Sequence, residues 1–498
     1  MRYFNRTKPY QIYLVPLITL LVLVGHDSQA QTTKDRPNIL IIFSDDQRAD
    51  AVGYENEYVK TPNLDRLAAS GMRFTNMYCM GATGGAVCVP SRAMLMSGKY
   101  VHKVRNTLEG TQTMPQVLGE NGYVTFGTGK WHNKEASFDK SFQQGKNIFF
   151  GGMSDHFNVP VVDKIGDGKF TEVRKVGHSS EVFADAAIDF LNDYAKGDRS
   201  KPFFTYIAFT ASHDPRMPPE EYLNMYDEEG MPLPPNYLPV HPFNNREMNH
   251  RDEKLAAYPR SVDDIKSSIA EYYGLITHMD AQIGRILKTL RSQGLTENTI
   301  IVFTSDHGLA LGSHGLLGKQ NLYEHSMKSP FLITGPGVPV NKQSEAMVYL
   351  LDIFPTLLEL IGMPAMDGVD GTDFSPIIRG EMTETRNSLY TTFTKNMRAV
   401  RDHRWKLIRY PTLHHTQLFD LASDPYELNN LAELTENQDR VKQMMELLGE
   451  WQQETGDKLP LTASEKQSME FDLINAENRR KPDQHQPEYI LKKYFNGK

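Results

Sequence analysis

Cysteine is nearly absent: Cys79 and Cys88 are the only two among 498 residues. A scaffold stapled by several disulfides and a cysteine-rich zinc cluster are thereby excluded. A single bridge between these two would close a loop so short that it would stabilise a chain of this size only modestly. Nor is there a basic excess. The formal net charge of -8 argues against a nucleic-acid partner, although it leaves an anionic substrate open, because the local field of a pocket decides that. Internal repeats and low-complexity linkers are missing. The stretch Ile12 to Val24, broken by Pro16, falls short of the roughly 20 apolar residues a spanning helix needs.

That stretch reads as a transport signal. Arg2, Arg6 and Lys8 precede it, and the small residues of Ser28-Gln29-Ala30 follow, so residues 1–30 are expected to be a cleaved signal peptide. An uncleaved anchor is the alternative. The mature chain is then periplasmic or secreted, with no stable membrane insertion. With 39% hydrophobic and 23% charged residues, it has a globular composition and is long enough for two domains.

The run Asn38-Ile39-Leu40-Ile41-Ile42-Phe43 is continuously apolar and β-branched, as in a parallel strand buried on both faces. It empties into Ser44-Asp45-Asp46. Thr61 and Pro62 open a helix that Gly71 closes. A helix over Met114 to Asn121 leads to a strand at Tyr123 to Phe126 and then to Lys130-Trp131-His132. Phe183 to Tyr194 forms a helix, and Phe203 to Phe209 a strand ending near His213. Arg216 to about Arg260 is expected as an irregular surface excursion. The clearest helix spans Ile265 to Leu290, followed by a strand, Thr299 to Thr304, that delivers Asp306 and His307. A short strand, Phe331 to Thr334, and a helix, Asp352 to Gly362, follow.

Alternating strands and helices predict an α/β fold, a large and mostly parallel sheet covered on both faces, over residues 31–378. From 379 to 498 the pattern changes to a smaller α+β subdomain. Its short antiparallel sheet uses Met397 to Val400, Trp405 to Tyr410 and Gln417 to Asp420. A helix over Val441 to Trp451 and a polar tail from about Thr455 complete it. Ligands of parallel sheets sit beyond the carboxyl ends of the strands. Asp45, Lys130, His213 and Asp306 all fall just after such strands.

Asp45, Asp46, Asp306 and His307 would gather three carboxylates and an imidazole at one rim. Like charges so packed call for a cation, and Ca²⁺ tolerates irregular mixed geometry better than Mg²⁺. His132 and His213, on loops, are candidates for proton transfer, which a histidine of near-neutral pKa suits. His102, Arg105, Asp155, His156 and Arg216 lie near the expected rim as candidate substrate contacts. Arg216 is able to pair with a carboxylate or another anionic group of a ligand.

The stretch Cys88-Val89-Pro90-Ser91-Arg92 through Ser97-Gly98 resembles the signature C-x-P-S-R-x-x-x-x-T-G of formylglycine-dependent sulfatases, with Ser97 in the usual place of Thr. Further motifs fall in family order: Thr61-Pro62-Asn63-Leu64-Asp65, Gly129-Lys130-Trp131-His132, Ser305-Asp306-His307-Gly308, Tyr323-Glu324 and Leu418-Phe419-Asp420-Leu421 with Asp424-Pro425. The resemblance implies an alkaline-phosphatase-like fold and oxidation of Cys88 to formylglycine (3-oxoalanine) by a formylglycine-generating enzyme or maturase. It also implies Ca²⁺ held by Asp45, Asp46, Asp306 and His307 together with the Cys88-derived group. The Asp-His pair looks like the iduronate sulfatase branch. Arg92, Lys130 and Lys319, each an ordinary surface charge if taken alone, match the family's sulfate-binding positions. His213 looks like the acid for the leaving oxygen, and His132 assists the formylglycine hydroxyl.

The expected activity is hydrolysis of a sulfate ester on a carbohydrate such as an algal ulvan, a carrageenan or a glycosaminoglycan. Two alternatives stand beside it. One is a phosphonate monoester or phosphodiester hydrolase of the same superfamily. The other is a catalytically silent exported carbohydrate-binding protein with a Cys79–Cys88 disulfide.

Overall fold

The computed structural model describes residues 36–473, so the signal-peptide expectation for residues 1–30 lies outside the described residues. At its centre runs the strand Asn38–Ser44. Ile39, Ile41 and Phe43 enter the apolar core on one side of the sheet, while Leu40 and Ile42 enter the core on the other. Strand geometry sends alternate side chains to opposite faces, which is why the whole run is apolar. Parallel neighbours flank it: Phe203–Ala208 on one side and Thr299–Ser305 on the other. Their register sets Ser44 opposite Ser305, so the loops carrying Asp45 and Asp306 begin at one level.

Val124–Lys130 and Gln144–Phe149 extend the sheet in parallel beyond Phe203–Ala208. On the far side Phe331–Thr334 runs antiparallel, followed by Met72–Tyr78 with Lys328–Ser329 and Lys342–Tyr349 paired to it. The nine-stranded sheet is therefore parallel where the chemistry-bearing loops emerge and mixed at one edge. The long helix, Val262–Ser292, starts three residues earlier than its apolar periodicity predicts, because Ser261 accepts the Asp264 amide as a cap at 3.0 Å. Its Leu275, Met279, Ile283 and Ile286 share a core with Phe183, Ala187 and Leu191 of the helix Ser179–Lys196. Among the described residues, no helix is long and apolar enough to cross a membrane.

The smaller sheet has five strands. Leu389–Phe393, Met397–Arg401, Trp405–Tyr410 and His415–Asp420 form an antiparallel meander. The fifth, Gly81–Ala82, comes from the chain just ahead of Cys88 and pairs in parallel with Leu389–Phe393. Gly81 has φ +86°, and a Cβ there would lie 2.0 Å from the Thr392 carbonyl oxygen; only glycine permits this approach.

Two expectations need correction. The stretch Arg216 to Arg260 is irregular, yet His241, Asn245, Glu247, Asp252, Glu253 and Arg260 are buried. Its charges are paired inside. Arg260 bonds Glu253 at 2.5 Å, and Glu253 accepts the Leu317 and Gly318 amides, which satisfies groups that could not otherwise leave water. The tail after Thr455 is not simply polar, because Leu461, Met469 and Phe471 pack against the main core. The Ala463 and Gln467 amides donate to the Pro411 and Thr412 carbonyls at 3.1 and 2.8 Å.

Candidate active site

Asp45 and Asp46 leave the central strand, and Asp46 turns the chain at φ +59°. That turn is fixed from three directions. The Asp46 amide donates to Asp306 Oδ1 at 2.9 Å, the Tyr272 hydroxyl donates to the Asp46 carbonyl at 2.8 Å, and the Arg48 amide donates back to Tyr272 at 2.9 Å. Cys88 opens the helix Cys88–Ser97 and is 2% exposed. Its Sγ is 4.0 Å from Asp46 Oδ1 and 3.5 Å from Lys319 Nζ.

Lys319 bonds both Asp46 oxygens, at 2.8 and 2.7 Å, and Lys130 bonds Asp45 Oδ2. Arg92 lies beneath this layer. Its guanidinium is 3.3 Å from Asp45 Oδ1 and 3.7 Å from Asp306 Oδ2, and it donates to the Lys130 carbonyl and the Tyr206 hydroxyl, both at 3.0 Å. His307 Nε2 stands 3.3 Å from Asp46 Oδ1 and 3.6 Å from Asp306 Oδ2. His213 Nε2 approaches Asp46 Oδ2 at 3.7 Å, its other nitrogen held 2.6 Å from the Asp214 carbonyl.

Burial alone would push the Cys88 thiol up, but Lys130 and Lys319 outweigh it and hold the thiol well below its ordinary value. Asp45 is likewise held low against burial, by Lys130 and then Arg92. Asp306 goes the other way: burial lifts it well above the carboxylate range, His307 opposes that, and the negative charges of Asp45 and Cys88 add to it. Burial and the Lys130 charge press His132 down to about 3.

One donor atom each from Asp46, Cys88, Asp306 and His307 lies within 4.8 Å of the others. Asp45 Oδ1, Asp306 Oδ2 and His307 Nε2 are buried without a hydrogen-bond partner. Buried polar atoms so left are rare. An oxygen-rich set with three orphaned atoms fits a divalent cation.

The family profile named Sulfatase matches residues 37–363, and that named N-sulphoglucosamine sulphohydrolase, C-terminal, matches residues 312–454. The chain belongs to the sulfatase family. It is a type I sulfatase of the alkaline-phosphatase superfamily and an enzyme. An N-acetylglucosamine-6-O-sulfatase of Bacteroides thetaiotaomicron is 27% identical, with 92% of this chain and 93% of that protein covered. An ulvan-active sulfatase of Formosa agariphila is 30% identical over 81% of this chain and 78% of that one. A protein solved in complex with its substrate D-glucosamine-2-N,6-O-disulfate superposes with TM-score 0.72 at 26% identity, over 86% of this chain and 99% of its own.

The remaining candidates of this sulfatase are dispersed. His102 Nε2 faces Asp457 at 3.9 Å, and Arg105 is 73% exposed and pairs with Glu109. Asp155 caps its own turn through the Phe157 amide. His156 is buried behind His213, with Nε2 3.1 Å from the His213 carbonyl oxygen and Nδ1 2.7 Å from Ser179. Arg216 is buried with its guanidinium 6.0 Å from the Tyr272 ring centroid. Both cysteines are free. Cys79 Sγ meets Ser91 Oγ at 2.9 Å and accepts the Gly81 amide at 3.1 Å, so it is turned to the flank of the helix while Cys88 faces Lys319. The expected alternative of a Cys79–Cys88 disulfide is overturned.

Sequence reasoning passed over Tyr272, which fixes the Asp46 turn, and Arg251, which grips Asp214 through both guanidinium nitrogens. It also passed over Asp252, 3.9 Å from Lys319. Tyr272 was legible only as a core position of its helix, and the other two lay inside a segment read as surface.

Proposed function

We propose that this sulfatase removes sulfate from a sulfated carbohydrate, using formylglycine made from Cys88 and a Ca²⁺ ion held by Asp45, Asp46, Asp306 and His307. The observation that carries the reading is the setting of Cys88, buried at a helix N-terminus with Lys319 and Asp46 beside its sulfur and donor atoms of Asp306 and His307 within 4.8 Å. Hydrated formylglycine would supply the oxygen nucleophile toward sulfur. Bound Ca²⁺ would polarise a sulfate oxygen.

The chain's own residues do the rest. Lys130 and Lys319, buried beside Asp45 and Asp46, bring positive charge to the site, where an anionic ester would otherwise repel a nucleophile. Arg92, committed to Asp45 and Asp306, neutralises the floor and orients those carboxylates. His213, held by Asp214 and the His156 contact, donates a proton to the leaving alcohol oxygen. His132, kept neutral by burial and the Lys130 charge, assists the formylglycine hydroxyl. Export behind residues 1–30 and maturation by a separate oxidising enzyme belong to the same reading.

A carbohydrate substrate is supported by the relatives that act on N-acetylglucosamine sulfate, ulvan and D-glucosamine disulfate. The test is sulfate release from a panel of defined oligosaccharides: 6-sulfated glucosamines, ulvan fragments, carrageenan fragments and glycosaminoglycan disaccharides. An aryl phosphodiester runs alongside. Release from at least one sugar sulfate, faster than diester cleavage, supports the reading. A diester that reacts far faster than every sulfate overturns it in favour of a phosphonate or phosphodiester hydrolase.

A further inference from the structure

Lys319 sits on a segment bracketed by two histidines, His314 and His325. His314 is buried and stacks on the Tyr323 ring with centroids 3.9 Å apart. His325 lies alongside, 5.6 Å from the His314 ring and 5.7 Å from Tyr323. Both ring nitrogens of His325 are buried, and neither has a hydrogen-bond partner. Leaving an imidazole so placed forfeits its hydration with nothing in return.

Glu427, 2% exposed, reaches the same spot from the C-terminal region. One of its oxygens accepts the Glu324 amide at 2.8 Å, and the other is 2.7 Å from Lys406 Nζ. One donor atom each from His314, His325 and Glu427 lies within 4.8 Å of the others.

We propose that His314, His325 and Glu427 form a zinc site, separate from the active centre, that pins both ends of the Lys319 segment to the C-terminal region. Two imidazoles and one carboxylate are a zinc donor set, and a hard oxygen-seeking cation would not select it. Asn236 Nδ2 donates to His314 Nε2 at 3.1 Å, a bond that coordination by that nitrogen would replace. Lys406 keeps a second carboxylate, Glu324 Oε1 at 3.0 Å, so releasing one Glu427 oxygen to a metal does not strand a buried charge. Because Lys319 lies between the two histidines, filling the site limits how far its ammonium drifts from Cys88 and Asp46.

The test uses the full-length protein stripped of metal and returned to excess Ca²⁺, which keeps the active centre supplied. One equivalent of zinc is then added, and bound zinc and Tm are measured for wild type, Asp306→Asn and His325→Gln. The expected result is one zinc per chain and a Tm rise of about 3–5 °C in wild type. Both are retained in Asp306→Asn and lost in His325→Gln. Equal uptake and stabilisation in His325→Gln, or no uptake by wild type, overturns the proposal. Should His325→Gln fold poorly, cobalt added to the stripped wild type decides. A visible d–d band that zinc abolishes and excess Ca²⁺ does not supports the site, and its absence overturns it.

Discussion

Removing Lys319 probes how the pocket balances its charges. The ammonium bonds both Asp46 oxygens at 2.8 and 2.7 Å and stands 3.5 Å from Cys88 Sγ, with its side chain 4% exposed. Opposite unit charges at contact attract by about 4 kcal/mol at an effective dielectric of about 20. Deleting one member of such a buried pair costs about 3–5 kcal/mol, because the survivor stays desolvated. In Lys319→Ala the stranded carboxylate is Asp46, and stability is expected to fall toward that range, less whatever a bound cation returns. The effect on turnover follows from a different quantity. A fixed positive donor aimed at charge that develops in the transition state is worth about 10²–10³ in kcat. The assay has three parts: the formylglycine content of the variant by peptide mass, so that unconverted cysteine is not mistaken for lost chemistry; kcat and KM on an aryl sulfate; and Tm. Lys319→Arg, which restores charge with a different shape, is expected to recover stability more than turnover. A Lys319→Ala enzyme, normally matured, with kcat within tenfold of wild type would show that the ammonium does not stabilise the transition-state charge.

Two further changes test the scaffold. Ser97 Oγ donates to the Ala93 carbonyl at 2.7 Å and accepts the Lys99 amide at 3.2 Å. Ser97→Ala is expected to lose about 1 kcal/mol in urea unfolding and Ser97→Thr less, since the hydroxyl stays; an unchanged Ser97→Ala contradicts that. Asp280 is pushed up to about 6 by burial, against the Leu64 and Asn63 amides that donate to it. Its folded value lies above the unfolded one of about 3.9. Its contribution to stability is therefore full below about pH 4 and gone above about pH 6, a fall of roughly 3 kcal/mol. Asp280→Asn is expected to remove that slope from unfolding curves taken between pH 4 and 7, and an unaltered slope assigns it to other groups.

What could be read from the residues follows a physical line. The Asn38 strand was legible because burial on both faces demands an unbroken apolar run. Asp45, Lys130, His213 and Asp306 were legible because strand ends in a parallel sheet point one way. Positions that depend on partners far along the chain were not. Gly81–Ala82 joins the C-terminal sheet by pairing with Thr392 and Phe393, and two residues carry no strand pattern. Phe471 and Met469 close over the core with no periodicity to announce it. Asp252, Glu253 and Arg260 look like solvated charge until their mutual pairing shows that they are inside. Arg105 had the right type and region, yet its side chain turns to Glu109 and solvent.

Cys88 is the proposed precursor of the nucleophile, and the intact mass of the mature protein checks this. Expression beside a maturation enzyme is expected to lower the mass by about 18 Da, the change for thiol to aldehyde, localised to the Cys88 peptide. Turnover should track that converted fraction and vanish in Cys88→Ala. A fully active protein with an unmodified Cys88, or an active Cys88→Ala variant, would contradict the account.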